Sequence, residues 1–118
     1  MARPVLQRGD VVLVTFPFTD LTGAKVRPAV IVSANPQTED VVVAFISTVI
    51  PPVLDPTDYQ LDDQHPDFRH IGLRFTSVFR LRKLMTLERH LIRRRLGRAN
   101  PTIQAELDAR LKLALALI

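Results

Sequence analysis

The run Val41-Val42-Val43-Ala44-Phe45-Ile46-Ser47-Thr48-Val49-Ile50 is the strongest strand signal in the chain. Side chains branched at Cβ are stiff at χ1, which handicaps a helix and suits a pleated surface. Asp40 precedes the run, and Pro51-Pro52 stops it, because proline has no N–H to give a ladder. A strand this apolar needs a sheet around it, so a mostly β domain is expected. Period two places Val41, Val43, Phe45 and Ser47 on one face and Val42, Ala44, Ile46 and Thr48 on the other. The two hydroxyls at its end are therefore expected to point to opposite sides, and on the residues alone they do no more than end a strand.

Two further strands precede it. Gly9-Asp10 is a turn signal, followed by the β-branched run Val11 to Val14. Phe16-Pro17-Phe18 is not expected to continue a central strand, because of Pro17. Thr19 to Lys25 is polar and holds Gly23, so it reads as a loop. Arg27-Pro28 then opens a second strand, with Pro28 biasing Arg27 to an extended backbone. Ala29 to Val32 is apolar on both faces, the pattern of a strand covered on both sides. An arginine thus stands at the mouth of a buried strand, beside a loop.

A chain of 118 residues, 47% of them hydrophobic, can build one core and is read as a single domain over 1–118. A domain this small leaves proportionally more surface exposed, which favours oligomerisation. The absence of cysteine excludes disulfides and thiolate metal sites. Gln7, Arg8 and Asp10 interrupt any signal-like hydrophobic stretch near the start. The apolar stretch Val41 to Leu54 falls short of the roughly 20 residues a spanning helix needs, so a cytoplasmic protein without membrane contact is expected.

The net charge of +4 hides a segregation. Glu39, Asp40, Asp55, Asp58, Asp62, Asp63 and Asp67 lie in a stretch, 39–67, with no lysine or arginine. From 68 to 98 stand Arg69, Arg74, Arg80, Arg82, Lys83, Arg89, Arg93, Arg94, Arg95 and Arg98 against Glu88 alone. Such a block is the footprint of a polyanion partner, or else a solvated surface paired with the acidic block. Arginine in place of lysine suits phosphate, because the guanidinium fork binds two oxygens in a plane.

The remaining chain carries weaker signals. Val53 to Tyr59 reads as a Pro/Asp-rich connection, with room for a short strand at its start, and Leu61 to His70 as irregular and acidic. His65, Asp67 and His70 match no defined metal spacing, and they read as solvated loop residues. Ile71 to Leu73, Ser77 to Leu81 and on to Leu87 read as strand, and Leu91 to Gly97 as an arginine-rich stretch broken at Gly97. Asn100-Pro101 is an N-cap followed by proline at the first helical position. Ile103, Leu107, Leu111, Ala114, Leu115 and Ile118 keep helical apolar spacing. Leu113 and Leu117 widen that surface, for burial on two sides or for contact with another subunit. The pattern amounts to about five to seven short strands and a C-terminal helix.

Gly9-Asp10, a hydrophobic strand, a variable loop and then Arg27-Pro28-Ala29-Val30-Ile31-Val32-Ser33 resemble the start of the PemK/MazF family of toxin endoribonucleases. Ala44-Phe45-Ile46-Ser47, Ser77-Val78-Phe79-Arg80-Leu81 and Thr86-Leu87-Glu88-Arg89 extend the resemblance over nearly the whole chain. It implies a mainly β (α+β) fold, the SH3-like compact β-barrel of the MazF and CcdB toxins with a C-terminal α-helix. It implies a homodimer that cuts single-stranded RNA without metal or cofactor, often at short base-specific sites. It also implies an acidic antitoxin protein as partner, in a complex that binds DNA.

In that resemblance Arg27 and Ser47 take the catalytic positions. Arg27 would neutralise the developing phosphorane, and Ser47 would bond the attacking 2′-OH or a phosphoryl oxygen. The family often has Thr-Ser where this chain has Ser47-Thr48, so the hydroxyl role stays open between the two. Phe18, Thr19, Lys25, Thr48, Arg82 and Lys83 are the expected RNA contacts, with Phe16 a further aromatic candidate. At least one of Phe16 and Phe18 is expected in the core. Several members place an arginine before the threonine at Thr86. Met85 stands there instead, with Arg82 or Lys83 to supply the charge. The rival functions are a CcdB-like gyrase poison and a catalytically inactive RNA- or peptide-binding barrel.

Overall fold

The structure, a computed structural model, describes residues 5–16 and 25–117. Among them the chain forms β1 (Asp10–Phe16), β2 (Lys25–Ala34), β3 (Asp40–Ser47), β4 (Asp58–Leu61), β5 (Ser77–Glu88), β6 (Ile92–Arg98) and α1 (Pro101–Ala114). The strands make one antiparallel sheet in the order β4-β5-β3-β2-β1-β6. A mainly β fold with a C-terminal helix is thus what the chain adopts.

The three strands legible in the sequence lie side by side and are apolar on both faces. Val11, Val30, Ala44 and Ile46 look into one core, closed by Tyr59, Leu61, Phe79 and Leu81 and by Ile103 and Leu107 of α1. Val12, Val14, Phe16, Ala29, Ile31, Val41 and Val43 look into a second core on the other side. The sheet curls without hydrogen-bonding into a closed barrel among the described residues, and its far edge is approached by packing instead. The backbone of His70 and Ile71, beyond β4, lies against Gly97 of β6, where a Cβ would collide with it. Gly72 answers from the other side, at φ +80° and tight against the Leu96 carbonyl.

That contact explains two departures from the sequence reading. Ile71 to Leu73 is a turn and not strand, with Ile71 fully buried. Gly97 does not break β6 but lies within it, because only a residue without Cβ lets the turn pack there. β4 falls at the end of the Pro/Asp-rich connection, not at its start, where Asp58 to Leu61 pair with β5. Pro28 lies inside β2, opposite Leu13 of β1. It is tolerated because the ladder to β3 begins only at Ala29, so that side of the strand is open at the proline. Phe16 belongs to β1 and is buried.

At the other edge, β6 is tied to β1 by charge. Asp10 is fully buried; its Oδ1 accepts from Arg98 Nε at 2.6 Å, with Arg95 Nη1 at 3.8 Å. Its Oδ2 accepts the Gln7 N–H at 2.8 Å. Asp10→Ala is expected to cost about 2 kcal/mol, the scale of a hydrogen bond to a charged group. Urea unfolding would read this as a lower midpoint at an unchanged slope.

Helix α1 starts as expected, with the Asn100 side chain accepting the Ile103 N–H at 3.0 Å. Ile103 and Leu107 are buried, and Leu111 and Ala114 pack against the first core. Leu113 and Leu117 are 61% and 59% exposed, so burial on two sides within the chain is excluded. Ile118 lies outside the described residues. Among the described residues no helix is long and apolar enough to cross a membrane.

Candidate functional site

The ends of β1, β2 and β3 meet beside the second core. On β2, Lys25 and Arg27 share a face with Ala29 and Ile31; on β3, Phe45 shares a face with Val41 and Val43. Phe16 and Phe45 pack edge to face, with ring centroids 5.0 Å apart at 63°. These two rings help line an open groove of about 710 Å³, whose rim carries Lys25, Arg27, Ser47 and Thr48. Phe16 therefore serves core and groove together.

Arg27 is exposed, and its Nη1 donates to the Val26 carbonyl at 3.1 Å. Among the described residues no carboxylate stands within ion-pair distance of it. The β2–β3 ladder pairs Ala29 with Phe45. Extended by two residues past its last pair, where the strands no longer hydrogen-bond, that register places Arg27 at the level of Ser47, and both residues line the groove.

β3 ends at Ser47 and not at Ile50, as its apolar run suggested. The Ser47 Oγ accepts the Val49 N–H at 3.0 Å, which turns the chain there. Strand alternation therefore stops before Thr48. Ser47, Thr48 and Val49 all line the groove, instead of the two hydroxyls pointing to opposite sides.

β5 supplies the third wall through an irregularity. Its register with β3 jumps between Ala44↔Leu84 and Phe45↔Arg80. Leu81 and Leu84 both pack on the first core, and the intervening slack puts Arg80 and Lys83 together on the groove. Strict alternation would have separated those two side chains. Arg82 is left outside, 4.0 Å from Asp55 with both side chains well exposed. The Thr57 hydroxyl and N–H, with Arg82 and Arg80 nearby, hold the Asp55 carboxyl below its ordinary value. Met85, paired with Val43, packs against the second core. Arg80 is the charged groove residue that the sequence placed only in the basic block and not among the expected RNA contacts; its position depends on the irregular stretch that follows it, which no residue pattern announces.

Of the expected contacts, Lys25, Arg27, Ser47, Thr48 and Lys83 thus come together, Arg82 does not, and Phe18 and Thr19 lie outside the described residues. Among the described residues, the groove is lined by lysine and arginine and by no carboxylate. His65 accepts the Asp67 N–H on Nδ1 at 3.0 Å, a loop contact away from the groove. The basic block divides. Arg80 and Arg82 face Asp58 and Asp55 of the acidic block, and Arg95 and Arg98 hold Asp10. Arg93 and Arg94 of β6 are exposed.

No curated protein matches the chain in sequence. Solved structures match its fold. An endoribonuclease in complex with its cognate antitoxin, from a mycobacterial species, superposes with TM-score 0.74 at 22% identity over 97% of this chain and 98% of that one. An endoribonuclease from a mycobacterial species gives TM-score 0.68 at 25% identity over 99% and 95%. The MazE–MazF complex from Deinococcus radiodurans gives TM-score 0.74 at 20% identity over 98% and 100%. A family model described as the PemK-like, MazF-like toxin of type II toxin–antitoxin systems matches residues 7–115. With that match running from before β1 to the end of α1, the chain belongs to the family of PemK-like, MazF-like toxins of type II toxin–antitoxin systems.

Proposed function

We propose that this protein is an endoribonuclease toxin that cleaves single-stranded RNA at short base-specific sites, without a metal, through Arg27 and Ser47. The observation that carries the reading is the groove: Arg27 and Ser47 lining it at one level, flanked by Lys25 and Lys83, with no carboxylate among the described lining residues. Such a donor set attracts phosphate and, among the described residues, presents a divalent cation with no carboxylate. The solved relatives described as endoribonucleases share this fold.

In this reading the RNA supplies its own nucleophile. The 2′-oxygen bonds to the adjacent phosphorus as its proton leaves, and the bond to the 5′-oxygen breaks as that oxygen takes up a proton. A cyclic phosphate and a 5′-hydroxyl remain. Arg27 neutralises the charge gathering on the phosphoryl oxygens, which is usually the largest catalytic contribution. Ser47 already accepts the Val49 N–H, so its own O–H is the available donor, directed to a phosphoryl oxygen or to the 2′-oxygen. Phe45, at the edge of the groove, offers a stacking face to an unpaired base. One observation favours a non-cleaving, RNA-binding barrel instead: Met85 packs into the core where several family members place an arginine. Lys83 and Arg80 bring charge to the groove from the same strand. Incubating purified protein with a long RNA in EDTA and sequencing the ends tests the reading. Cuts sharing a short sequence and ending in cyclic phosphate are expected; intact RNA from folded protein would sink it.

The active species in this reading is a homodimer, with the exposed leucines at the end of α1 as apolar surface for a second copy. The partner is an acidic antitoxin that competes with RNA, as relatives in complex with antitoxin suggest. A segment ordering on binding needs both apolar anchors and charge complementarity. Exposed Arg27, Lys25 and Lys83 offer the charge, and exposed Val49 on the same groove an apolar anchor. Co-expression with the neighbouring open reading frame should yield a complex that no longer cuts RNA. Tight binding with cleavage unaffected would rule out competition.

A further inference from the structure

We propose that Arg80 is a phosphate-binding residue of the groove, gripping an RNA backbone phosphate on the far side of β3 from Arg27. The inference rests on the RNA-cleaving reading and adds to it a contact that neither the strand pattern nor the family resemblance supplies. β3 lies between β2 and β5, so Arg27 and Arg80 flank the strand that carries Phe45 and Ser47. Two strand spacings across and two residues along separate their backbones, roughly 12 Å. A strand of RNA crossing the end of β3 would meet both.

The surroundings of Arg80 are built to hold its stem and leave its head available. Asp58, its partner across the β4–β5 ladder, is buried, with its side chain only 4% accessible. Asp58 Oδ1 stands 3.6 Å from Arg80 Nε, too far for a hydrogen bond. That Nε is buried and has no hydrogen-bond partner. The side chain as a whole is 40% accessible and lines the groove. An arginine needed only to neutralise Asp58 would close on it with two parallel bonds. Here the carboxylate restrains the stem by charge and does not saturate the fork. Rotamer freedom is already reduced in the folded protein, so an incoming phosphate meets a cation whose ordering cost is partly met.

The test uses the full protein and a short single-stranded RNA carrying its cleavage sequence, with a 2′-deoxy sugar at the cut position so that it binds without reacting. Binding is followed by fluorescence anisotropy between about 50 and 200 mM salt. Arg80→Ala should weaken binding about tenfold and flatten the slope of log affinity against log salt by about 0.7, the loss of one phosphate contact on a single strand. On cleavable RNA the loss should fall on KM more than on kcat, as for a contact made alike in ground and transition states. Arg80→Lys should keep the slope and recover only part of the affinity, since a point charge lacks the fork. Arg82→Ala removes the same charge from the same strand outside the groove and should have a clearly smaller effect. Because alanine leaves the buried Asp58 carboxylate with neither cation nor donor beside it, Arg80→Gln, neutral but still carrying an N–H donor, serves where alanine unfolds the protein, with the same expectation. Wild-type affinity and slope from either folded variant overturn the proposal, as does loss of antitoxin binding with RNA binding intact. If the wild-type protein neither binds nor cuts RNA, the endoribonuclease reading fails and this one with it. Wild-type cleavage beside unchanged binding by the Arg80 variants refutes only the role of Arg80.

Discussion

Arg27→Ala should abolish RNA cleavage, by at least about 10²–10³-fold, while leaving the protein folded. Arg27 is exposed, donates only to the neighbouring Val26 carbonyl among the described contacts, and buries no charge, so its removal disturbs no packing. Its stability cost should stay within about 0.5 kcal/mol, the range for surface positions. Function should suffer because on the β2 side of Ser47 no other described cation takes this place, and the β5 residue across from Ser47 is Val78. Lys25 and Lys83 line the same groove but are point charges, without the planar fork that spans two phosphoryl oxygens. Arg27→Lys should accordingly fall between wild type and alanine. In cells, growth arrest on expression should disappear with Arg27→Ala in parallel with cleavage. A well-folded Arg27→Ala protein that cuts at the wild-type rate would remove Arg27 from the chemistry and leave the groove as a binding surface only.

Ser47→Ala is the second large loss, about ten- to a hundredfold in kcat, the equivalent of one hydrogen bond to a charged group. Thr48→Ala should stay within about threefold of wild type. Both hydroxyls line the groove, so exposure does not separate them. Two features do. The β2–β3 register, extended two residues past its last pair, brings Ser47 and not Thr48 to the level of Arg27. The Val49 N–H bonded to Ser47 Oγ also polarises that hydroxyl as a donor. Stability should fall by no more than about 1 kcal/mol in Ser47→Ala, since the lost turn bond lies at an exposed strand end. Single-turnover cleavage separates the two variants from any change in binding. A damaging Thr48→Ala beside a harmless Ser47→Ala would mean that the bend after β3 presents the second hydroxyl to the phosphate.

Local chemistry was enough to announce the framework. Valine and isoleucine runs after Gly9-Asp10, Pro28 and Asp40 announce β1, β2 and β3, because β-branched side chains act within a few residues of themselves, although β2 starts at Lys25, ahead of the proline. Asn100-Pro101 specifies the start of α1 for the same reason: a cap bond spans only three residues. Arg27 at the mouth of a buried strand was legible too, since Pro28 constrains its neighbour directly. The tertiary structure decided what no neighbour encodes. The irregularity in β5 reverses the facing of Lys83, brings in Arg80 and turns Arg82 outward. It depends on how β5 wraps past β3 and not on any alternation within the strand. Gly97 reads as a break in isolation, yet it continues β6, because the turn at His70–Gly72 packs where its side chain would be. The Ser47 turn ends a run whose composition would have carried the strand to Ile50. β1, β2, β3 and the start of α1 followed from short-range sterics; the continuity of β6 and the composition of the groove followed from packing and register, which are settled only when distant strands meet.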